Sequence, residues 1–393
     1  MDRARYFDNA ATTPLDPRVR EAMAPFLDQA FGNASSLHAW GLQARNAVEW
    51  AREQVARLIG AEDPSQIYFT SGATESNNWV LNAADEVVIS PFEHSSLREP
   101  TIRRGGWILE SFGGRLPGDG ICYVKKAGVT EKIRAIRRAS QLGPETPEQE
   151  LVRRRSVPAL QGRVLTSVMA VNNETGAIWD VRQHAQKDDI LHADITQAVG
   201  KLPVALEGLD YASFSGHKFY GPKGIGALYC KNGPPAPLIL GGEQEYGARG
   251  GTLNVAGIVG MGAAAEIAML EREGDYWKAE KLREILIDRL KGLPDTQLNG
   301  GDRTSPFIVS VSFRGLEGET IVLEMDRAGY AVSAGAACSS RSLEPSHVLT
   351  ALNLSQEWLR GTVRISFGRF NTEEATIALA QKVRTTVEML RTL

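Results

Sequence analysis

The sequence contains little cysteine, and its cysteines lie far apart. There are 3 in 393 residues, namely Cys122, Cys230 and Cys338. This number and spacing exclude a disulfide framework and a paired-cysteine zinc site. The first residues, through Asp8, also lack the apolar run of a secretory signal. We therefore expect a protein of the reducing cytoplasm.

Neither an excess of one charge nor a long apolar run is present. The 44 Lys and Arg residues nearly balance the 47 Asp and Glu residues, which leaves a formal net charge of -3. Such a balance argues against a basic nucleic-acid-binding face and against an acidic tail. The longest stretch without a charge, 250–265, is Gly-rich and shorter than the ~20 residues of a membrane span. We expect a buried helix there, and neither nucleic acid nor a membrane as a partner.

The composition and the periodicity are those of a globular α/β chain. Apolar residues make up 42% of the sequence, and its length suggests two or three domains at roughly 150 residues each. Short β-rich runs alternate with helical patterns, which predicts a mostly parallel sheet covered on both faces. The predicted strands are Ile67 to Thr70, Glu86 to Ser90, Trp107 to Phe112, Arg163 to Val171, Ile190 to Asp194 and Tyr211 to Ser215, with a helix from Ala73 to Ala84 after the first.

The last third of the chain has a different pattern, which predicts a second, smaller α+β domain. A long helix is expected from Asn254 to about Leu293. It is followed by a strand (Phe307 to Phe313), a helix (Glu319 to Ala328), a strand (Val363 to Phe367) and a helix (Glu373 to Leu390). Between the two regular parts, residues 113–162 carry Gly, Pro and basic runs, and we interpret them as a solvated insertion.

Polar clusters follow five of the predicted strands. They are Ser71-Gly72-Ala73-Thr74-Glu75, Pro91-Phe92-Glu93-His94, Asn172-Asn173-Glu174, Asp194 with Gln197, and Ser215-Gly216-His217-Lys218. Each has a plainer explanation when taken singly: Thr74 as a helix cap, His94 as a loop histidine, Lys218 as a surface lysine. Because parallel strands bring their carboxyl ends to one edge of a sheet, five such clusters favour one shared site.

The residue types in these clusters suit pyridoxal phosphate. A helix that begins at Ala73 offers backbone N–H groups to a phosphate, and His94 offers a ring for stacking. Lys218 can form a Schiff base with the aldehyde. Asp194 can pair with the pyridinium nitrogen and keep it protonated, so that the ring accepts carbanion electrons.

Three competing motifs are weaker. Residues 260–265 match a dinucleotide fingerprint but lie inside a helical pattern with no strand before them, which favours close helix packing. Residues 221–224 lack the ending of a P-loop. His192 and Asp194 have no third ligand nearby in the sequence, so we expect no metal.

Several stretches spread over the chain form a recognisable set. They are residues 6–14 (YFDNAATTP), 31–38 (FGNASSLH), 69–77 (FTSGATESN), 171–176 (VNNETG), 192–197 (HADITQ), 213–218 (SFSGHK) with 221–224 (GPKG), 249–252 (RGGT), and 336–340 (AACSS) followed by 343–346 (LEPS). With them the chain resembles the NifS/IscS-like cysteine desulfurases, within the class-V aminotransferase family of fold-type-I pyridoxal-phosphate enzymes. The match is poor from Arg103 to Gln161, and Asn33-Ala34 replaces the Asn-Pro that is usual in this family.

The resemblance implies an α/β architecture of pyridoxal-phosphate-dependent transferase fold type I. A large cofactor-binding domain, residues 16–255, would contain a mostly parallel seven-stranded sheet between helices. A smaller α+β domain, residues 1–15 and 256–393, would carry the catalytic cysteine loop.

The resemblance also implies roles for individual residues. Lys218 would be the Schiff-base lysine, Cys338 the sulfur acceptor, and His94 a catalytic residue stacked on the cofactor ring. Asp194 would pair with the ring nitrogen and Gln197 would hydrogen-bond the ring oxygen. The phosphate would be held by Ala73 through its backbone, Thr74, Ser215 and His217, and by Thr252 of a neighbouring subunit, which implies a homodimer. Asn173 and Arg364 would face the substrate carboxylate.

The implied activity is pyridoxal-phosphate-dependent removal of sulfur from L-cysteine. It would yield L-alanine and a persulfide on Cys338, for delivery to an iron–sulfur scaffold protein or another sulfur acceptor. From the residues alone, Cys338 is equally a nucleophile or a buried structural cysteine. For Cys122 and Cys230 we expect the structural role. Likewise, Arg364 is either a carboxylate clamp or an exposed arginine.

Three alternative functions remain beside this one. The first alternative is a selenocysteine lyase, the second is another class-V aminotransferase or lyase, and the third is a degenerate member that serves as a non-enzymatic assembly partner. An aminotransferase needs no catalytic cysteine, and the presence of Lys218, Asp194 and Cys338 argues against a degenerate member.

Overall fold

The computed structural model describes residues 2–109, 162–184, 188–335 and 346–392, together with the backbone of two strands at 121–126 and 133–137. The α-helices in this part of the chain are α1 (Pro17–Met23), α2 (Ala39–Ile59), α3 (Ala73–Val80), α4 (Ser95–Arg103), α5 (Val255–Leu290), α6 (Gly318–Arg327), α7 (His347–Ala351), α8 (Gln356–Arg360) and α9 (Glu373–Leu390). The strands are β1 (Ile67–Thr70), β2 (Glu86–Ile89), β3 (Trp107–Leu109), β4 (Ile121–Lys126), β5 (Ile133–Arg137), β6 (Val164–Ser167), β7 (Ile190–Asp194), β8 (Tyr211–Ser215), β9 (Gly226–Cys230), β10 (Thr296–Asn299), β11 (Ile308–Phe313), β12 (Ser333–Ala334) and β13 (Thr362–Ser366).

The larger sheet has nine strands in the order β1-β9-β8-β7-β6-β2-β3-β4-β5. The first seven of this order form the expected mostly parallel sheet: β9 is antiparallel to both neighbours, and the other six run in one direction. The antiparallel strands β4 and β5 extend the sheet beyond β3. Within the stretch 113–162, which we interpret as a solvated insertion, the backbone of these two strands joins the sheet ladder, and residues 113–120, 127–132 and 138–161 lie outside the described residues.

Buried residues in successive positions characterise the three strands β1, β9 and β8. All residues of β1 and β9 are buried, and so are Ala212 to Ser215 of β8. This pattern is typical of a sheet with helices on both faces, as the sequence predicts. Asp194 lies opposite Ser213 in the parallel register of β7 and β8, so the ends of these two strands lie side by side.

The smaller sheet has the order β10-β11-β13-β12, and its pairs are antiparallel. Arg364 in β13 lies between Ser310 of β11 and Ser333 of β12. The N-terminal segment runs along this sheet through single bridges from Tyr6 to Ala331 and from Asp8 to Ser366. The first residues of the chain are thus placed beside β13.

Close packing of α5 against α1 and α2 explains the glycines near the start of α5. A Cβ on Gly262 would lie 2.6 Å from the Cα of Ala51, and a Cβ on Gly260 would lie 2.6 Å from Sδ of Met23. Residues 256–265 are buried. Close helix packing, predicted in place of a dinucleotide fingerprint, is therefore confirmed. No helix in the described residues combines the length and apolar content that a bilayer crossing requires.

Most predicted elements agree with the structure to within a few residues. The strand predicted from Arg163 to Val171 is shorter, because the regular ladder ends at Ser167 and the chain then forms a tight turn at 173–175. The strand predicted from Trp107 to Phe112 is described only as far as Leu109.

Candidate active site

A cavity of about 610 Å³ lies at the carboxyl ends of the parallel strands. Its volume is in the ordinary range for small-molecule and cofactor sites. The residues predicted from sequence that line it are Ala73, Thr74, His94, Asn173, Asp194, Gln197, Ser215, His217, Lys218 and Arg364. The polar clusters after five strands therefore meet in one place, as predicted. Thr252 is exposed and does not line this cavity, and Cys338 lies outside the described residues.

The start of α3 forms one end of the cavity. The first N–H groups of any helix have no partner within the helix. Gly72, which precedes α3, supplies no capping side chain for them. This segment lies close to β9 and to the end of β8. A Cβ on Gly226 would lie 2.6 Å from the Cα of Gly72, and a Cβ on Gly72 would lie 3.7 Å from Oγ of Ser215. The hydroxyl of Ser215 accordingly lies beside this helix start, which makes a set of donors suited to a phosphate.

His217 lies at the same end. Its Nδ1 is 3.0 Å from Oγ1 of Thr12. Burial, and then the positive charges of Lys218, Lys201 and Lys223, lower the pKa of His217 to about 4. At neutral pH its ring is therefore uncharged and can donate one N–H to an anion while the other nitrogen accepts.

Lys218 ends the short 3₁₀ turn that follows β8. Its Nζ donates to the carbonyl oxygens of Ala10 and Ala11, at 2.7 Å each. The N-terminal segment also holds the turn from the other side, since Oγ1 of Thr13 donates to the carbonyl of His217 and accepts from the N–H of Tyr220. The amino group is thus held at the floor of the cavity by two backbone oxygens.

Asp194 ends β7 and is almost fully buried. Its Oδ1 accepts from the N–H of Thr196 at 2.9 Å, and its Oδ2 accepts from Nδ2 of Asn77 at 2.8 Å. The same Nδ2 donates to Oγ of Ser96, which lies 2.8 Å from Nδ1 of His94. Asn77 therefore links the carboxylate to the histidine on the neighbouring helix start.

The electrostatic environment keeps His94 neutral. Burial lowers its pKa, Asp194 raises it, and Lys218 lowers it further, with a net shift below the ordinary value. Nδ1 accepts from the N–H of Ser96, because His94 caps α4. This arrangement fixes the plane of the ring at the cavity wall.

Gln197 is held in one orientation by two contacts. Its Nε2 donates to the carbonyl of Ala10 at 2.8 Å, and its Oε1 accepts from Nζ of Lys201 at 3.2 Å. Burial, and then Lys218 and Arg364, lower the pKa of Lys201 to about 7. Sequence reasoning missed Lys201, and its spacing of four residues from Gln197 was the one available signal.

Arg364 closes the other end of the cavity and is buried, so the alternative of an exposed arginine is wrong. Its Nη1 donates to the carbonyl of Asn173 at 2.7 Å, and its Nη2 donates to Oδ1 of Asp8 at 2.8 Å and Oγ of Ser333 at 3.3 Å. Nε of Arg364 and Oδ1 of Asn173 are buried without a hydrogen-bond partner. Two unsatisfied polar atoms at a cavity wall are those a polar ligand would satisfy.

A buried carboxylate lies just behind this end. Oε2 of Glu174 accepts from Oγ of Ser346 at 2.6 Å, which caps α7. Burial raises the pKa of Glu174 to about 7, against the Ser346 hydrogen bond and the charge of Arg364, which lower it. Neither Glu174 nor Asp8 was assigned a role from the sequence.

Two other residues, His192 and Cys230, are buried, and the structural role expected for Cys230 agrees with the structure. His192 is buried between the hydroxyls of Ser167 and Ser213, at 2.8 and 2.9 Å, and burial lowers its pKa to about 4. Cys230 is buried, and burial raises the pKa of its thiol. In the described part of the chain, no three metal-binding side chains are grouped.

Comparisons with known proteins agree on one family. A family model described as aminotransferase class-V matches residues 5–103 and 159–379. The cysteine desulfurase IscS of Dictyoglomus turgidum is 38% identical, over 100% of this chain and 97% of that protein. Among solved structures, a NifS-like protein has a TM-score of 0.79 at 33% identity and covers 99% of each chain. SspA in complex with cysteine has a TM-score of 0.72 at 28% identity, over 94% of this chain and 100% of that one. The gap between the two matched ranges, residues 104–158, lies within the stretch from Arg103 to Gln161.

Proposed function

The chain belongs to the class-V aminotransferase family of pyridoxal-phosphate enzymes, and within it we propose that it is a cysteine desulfurase. The observation that carries the proposal is the meeting, in one cavity, of the Lys218 amine, the Asp194 carboxylate and the Arg364 guanidinium. These groups suit a lysine-bound aldehyde, a pyridinium nitrogen and an α-carboxylate, respectively. The relatives that match the full chain carry the same activity in their names.

The residues present fit pyridoxal phosphate. The start of α3 with Thr74, Ser215 and His217 would hold the phosphate, and His94 would stack on the ring. Asn173, whose Oδ1 is unsatisfied, lines the same cavity. Gln197 has a second N–H on Nε2 beyond the one given to Ala10, and it would hydrogen-bond the ring oxygen. When bound, the cofactor supplies a sink for the electrons left on the substrate α-carbon.

Four residues of the chain would bind the substrate, transfer its proton, maintain the charge of the ring and accept the sulfur. Arg364 would bind the carboxylate of L-cysteine, and Lys218 would take the α-proton at Nζ. Asp194 would keep a positive charge at the ring nitrogen, because Asn77 and Thr196 hold its two oxygens. Sγ of Cys338, as thiolate, would form a bond to the substrate sulfur while the carbon–sulfur bond breaks and its electron pair stays with carbon. The products are L-alanine and a persulfide on Cys338.

A homodimer is part of the proposal. Large apolar side chains are exposed on two segments, with exposed fractions of 74% for Phe31, 87% for Leu37, 58% for Trp40, 83% for Leu240 and 62% for Tyr246. Several large apolar side chains exposed close together along a segment are typical of an interaction surface. Thr252 follows the second segment and is exposed, so it is accessible to the phosphate site of a second copy.

The remaining parts of the proposal concern organisation and context. We assign residues 16–255 to the large domain, and residues 1–15 and 256–393 to the small domain, with Arg364 in the latter. We further propose that the protein acts in the cytoplasm and passes its sulfur to an acceptor protein such as an iron–sulfur scaffold.

The test is a product assay with three substrates, namely L-cysteine, L-selenocysteine and a keto acid that can accept an amino group. The cofactor-loaded protein is incubated with L-cysteine and a thiol reductant, and sulfide and L-alanine are measured together. The proposal expects the two products in equal amounts. Release of selenide from L-selenocysteine with no sulfide from L-cysteine would identify a lyase for selenocysteine instead. Transfer of the amino group to a keto acid would identify an aminotransferase, and no reaction with any of the three would identify a non-enzymatic member.

A further inference from the structure

The side chain of Asp8 forms an ion pair with Arg364 at the edge of the cavity. Oδ1 of Asp8 accepts from Nη2 of Arg364 at 2.8 Å. The backbone is held on each side of Asp8, since the N–H of Phe7 donates to the carbonyl of Ala331 and the N–H of Asn9 donates to the carbonyl of Ser366. The carboxylate is therefore held beside the guanidinium by the pairing of the N-terminal segment with β13.

The hydrogen atoms of the guanidinium are unevenly used. Nη2 carries two, and they point to Asp8 and Ser333. Nη1 uses one of its two on Asn173, and the hydrogen on Nε has no partner. A planar carboxylate binds an arginine best through two parallel N–H groups, and each such fork of a guanidinium includes Nη2. A bidentate ligand carboxylate therefore needs a hydrogen of Nη2 that Asp8 or Ser333 now holds.

Solvent exposure distinguishes the partners of this ion pair. The side chain of Arg364 is 4% exposed, whereas that of Asp8 is 18% exposed. A buried guanidinium left without an anion is costly, but a carboxylate that reaches water is rehydrated when it loses its hydrogen bond. Asp8 is thus the partner that can yield, and Arg364 is the one that must always be paired.

The other ionisable groups near Arg364 do not take the place of Asp8. The charge of Arg364 lowers the pKa of Glu174, but the hydrogen bond of that carboxyl group is to Ser346. Burial is the main cause that raises the pKa of Tyr6 to about 12, so its phenol is neutral. Lys201 is a cation. Asp8 is the carboxylate in direct contact with the guanidinium among the described residues.

We propose that Asp8 is a specificity-determining residue that occupies Nη2 of Arg364 in the empty site and is exchanged for the α-carboxylate of an amino acid ligand. The inference rests on the proposed function, in which Arg364 binds that carboxylate. The exchange keeps the buried guanidinium neutralised throughout. It also makes every carboxylate ligand compete with a built-in one, and this competition selects for a ligand that makes further contacts in the cavity.

The test compares Asp8→Asn with Asp288→Asn, which removes the same charge from an exposed position on α5. Asparagine keeps an oxygen for Nη2 but lacks the charge, so it yields more easily. A charge-assisted hydrogen bond exceeds a neutral one by about 1 kcal/mol, which corresponds to about fivefold in affinity. We expect KM for L-cysteine, and Kd for L-alanine measured by calorimetry without turnover, to fall by about fivefold in Asp8→Asn and to stay constant in Asp288→Asn.

A ligand without a carboxylate provides the internal control. The binding of 2-aminoethanethiol is expected to be the same in Asp8→Asn and the wild type. Unchanged or weaker binding of L-alanine in Asp8→Asn, or an equal effect on both ligands, overturns the proposal. Asp8→Ser, which also keeps an oxygen and removes the charge, gives a second reading in the same direction if the first variant folds poorly.

Arg364→Lys separates this proposal from the function on which it rests. If Arg364→Lys raises KM and Kd while Asp8→Asn changes neither, Arg364 binds the carboxylate and the role of Asp8 is refuted. If Arg364→Lys leaves both constants unchanged, the carboxylate contact itself is refuted, and the inference about Asp8 fails with it.

Discussion

Asn77 donates one amide nitrogen both to the carboxylate of Asp194, at 2.8 Å, and to the hydroxyl of Ser96, also at 2.8 Å. Asn77 lies on α3, Asp194 ends β7 and Ser96 lies on α4, so one side chain joins three elements. Ser96 in turn contacts His94. The carboxylate that would face the cofactor nitrogen and the histidine that would stack on its ring are therefore positioned together.

Asn77→Ala tests this connection. A hydrogen bond to a buried charge contributes about 1.5–3 kcal/mol, and part of it here maintains the position of Asp194. We expect turnover, and exchange of the substrate α-proton with solvent, to fall by about tenfold or more. Asn82→Ala is the matched control, because Asn82 contacts Ala236 and Arg104 away from the cavity. Equal exchange rates in Asn77→Ala and the control would refute the positioning role.

Lys218→Ala tests the covalent attachment of the cofactor. The amine of Lys218 lies in the cavity and is held by two carbonyl oxygens, whereas Lys223 also lines the cavity but is exposed. We expect Lys218→Ala to lose the absorbance of the lysine-bound cofactor and essentially all turnover. Lys223→Ala is expected to keep both. The reverse result would move the attachment to Lys223.

The buried carboxyl of Glu93 predicts a pH-dependent stability. Burial is the main cause that raises its pKa from 4.5 to about 8, with Asp194 adding to the shift and Ser90 and Met169 opposing it. Between these two pH values the folded state keeps a proton that the unfolded state has released, so this group makes the protein less stable as pH rises. Glu93→Gln does not titrate, and its stability relative to the wild type is expected to increase from about pH 5 to about pH 8.

Chemical unfolding of both proteins at the two pH values checks this. Other titrating groups cancel in the difference between variant and wild type, and Glu21→Gln, at an exposed position, is expected to show no such trend. A difference that is constant or decreases with pH would show that Glu93 is ionised in the folded protein.

The buried ion pair of Arg52 and Glu245 predicts a large loss of stability when it is broken. Their side chains are 2% and 0% exposed, and Glu245 also accepts from the N–H of Phe69 in β1. Removing one partner of a buried pair costs about 3–5 kcal/mol, and we expect this loss in Glu245→Ala by denaturant unfolding. Glu53→Ala breaks an exposed pair with Arg57 on the same helix as Arg52 and is expected to cost less than about 1 kcal/mol. Similar losses in the two variants would contradict this.

Local patterns in the sequence predict much of the fold and of the cavity. The strand from Ile67 to Thr70 and the helix that begins at Ala73 agree with the structure, because apolar runs and the small residues between them determine both. Since parallel strands end at one edge, the residues after β1, β2, β6, β7 and β8 had to meet there. The interpretation of 260–265 as helix packing was also correct, because no strand precedes those glycines.

Contacts between distant parts of the chain were not predictable in this way. Asp8 and Arg364 are 356 positions apart, and no periodicity or spacing joins them. Asn77 lies inside a helical pattern, where an asparagine that faces solvent and one that faces Asp194 look the same. The strands β4 and β5 lie within a stretch of mixed polar and basic residues. The pairing of β4 to β3 depends on a sheet edge that only the folded chain provides.

The central claim is that sulfur moves from L-cysteine to Cys338, and the mass of the protein after a single turnover tests it most directly. The cofactor-loaded wild type is mixed with L-cysteine without reductant, digested and examined by mass spectrometry, beside Cys338→Ser and Cys122→Ser. The account predicts one added sulfur atom on the peptide that contains Cys338, its removal by reductant, and the same result in Cys122→Ser. It also predicts that Cys338→Ser keeps the colour of the bound cofactor but releases almost no sulfide. Sulfide release at the wild-type rate by Cys338→Ser, with no added sulfur on the wild-type peptide, would contradict it.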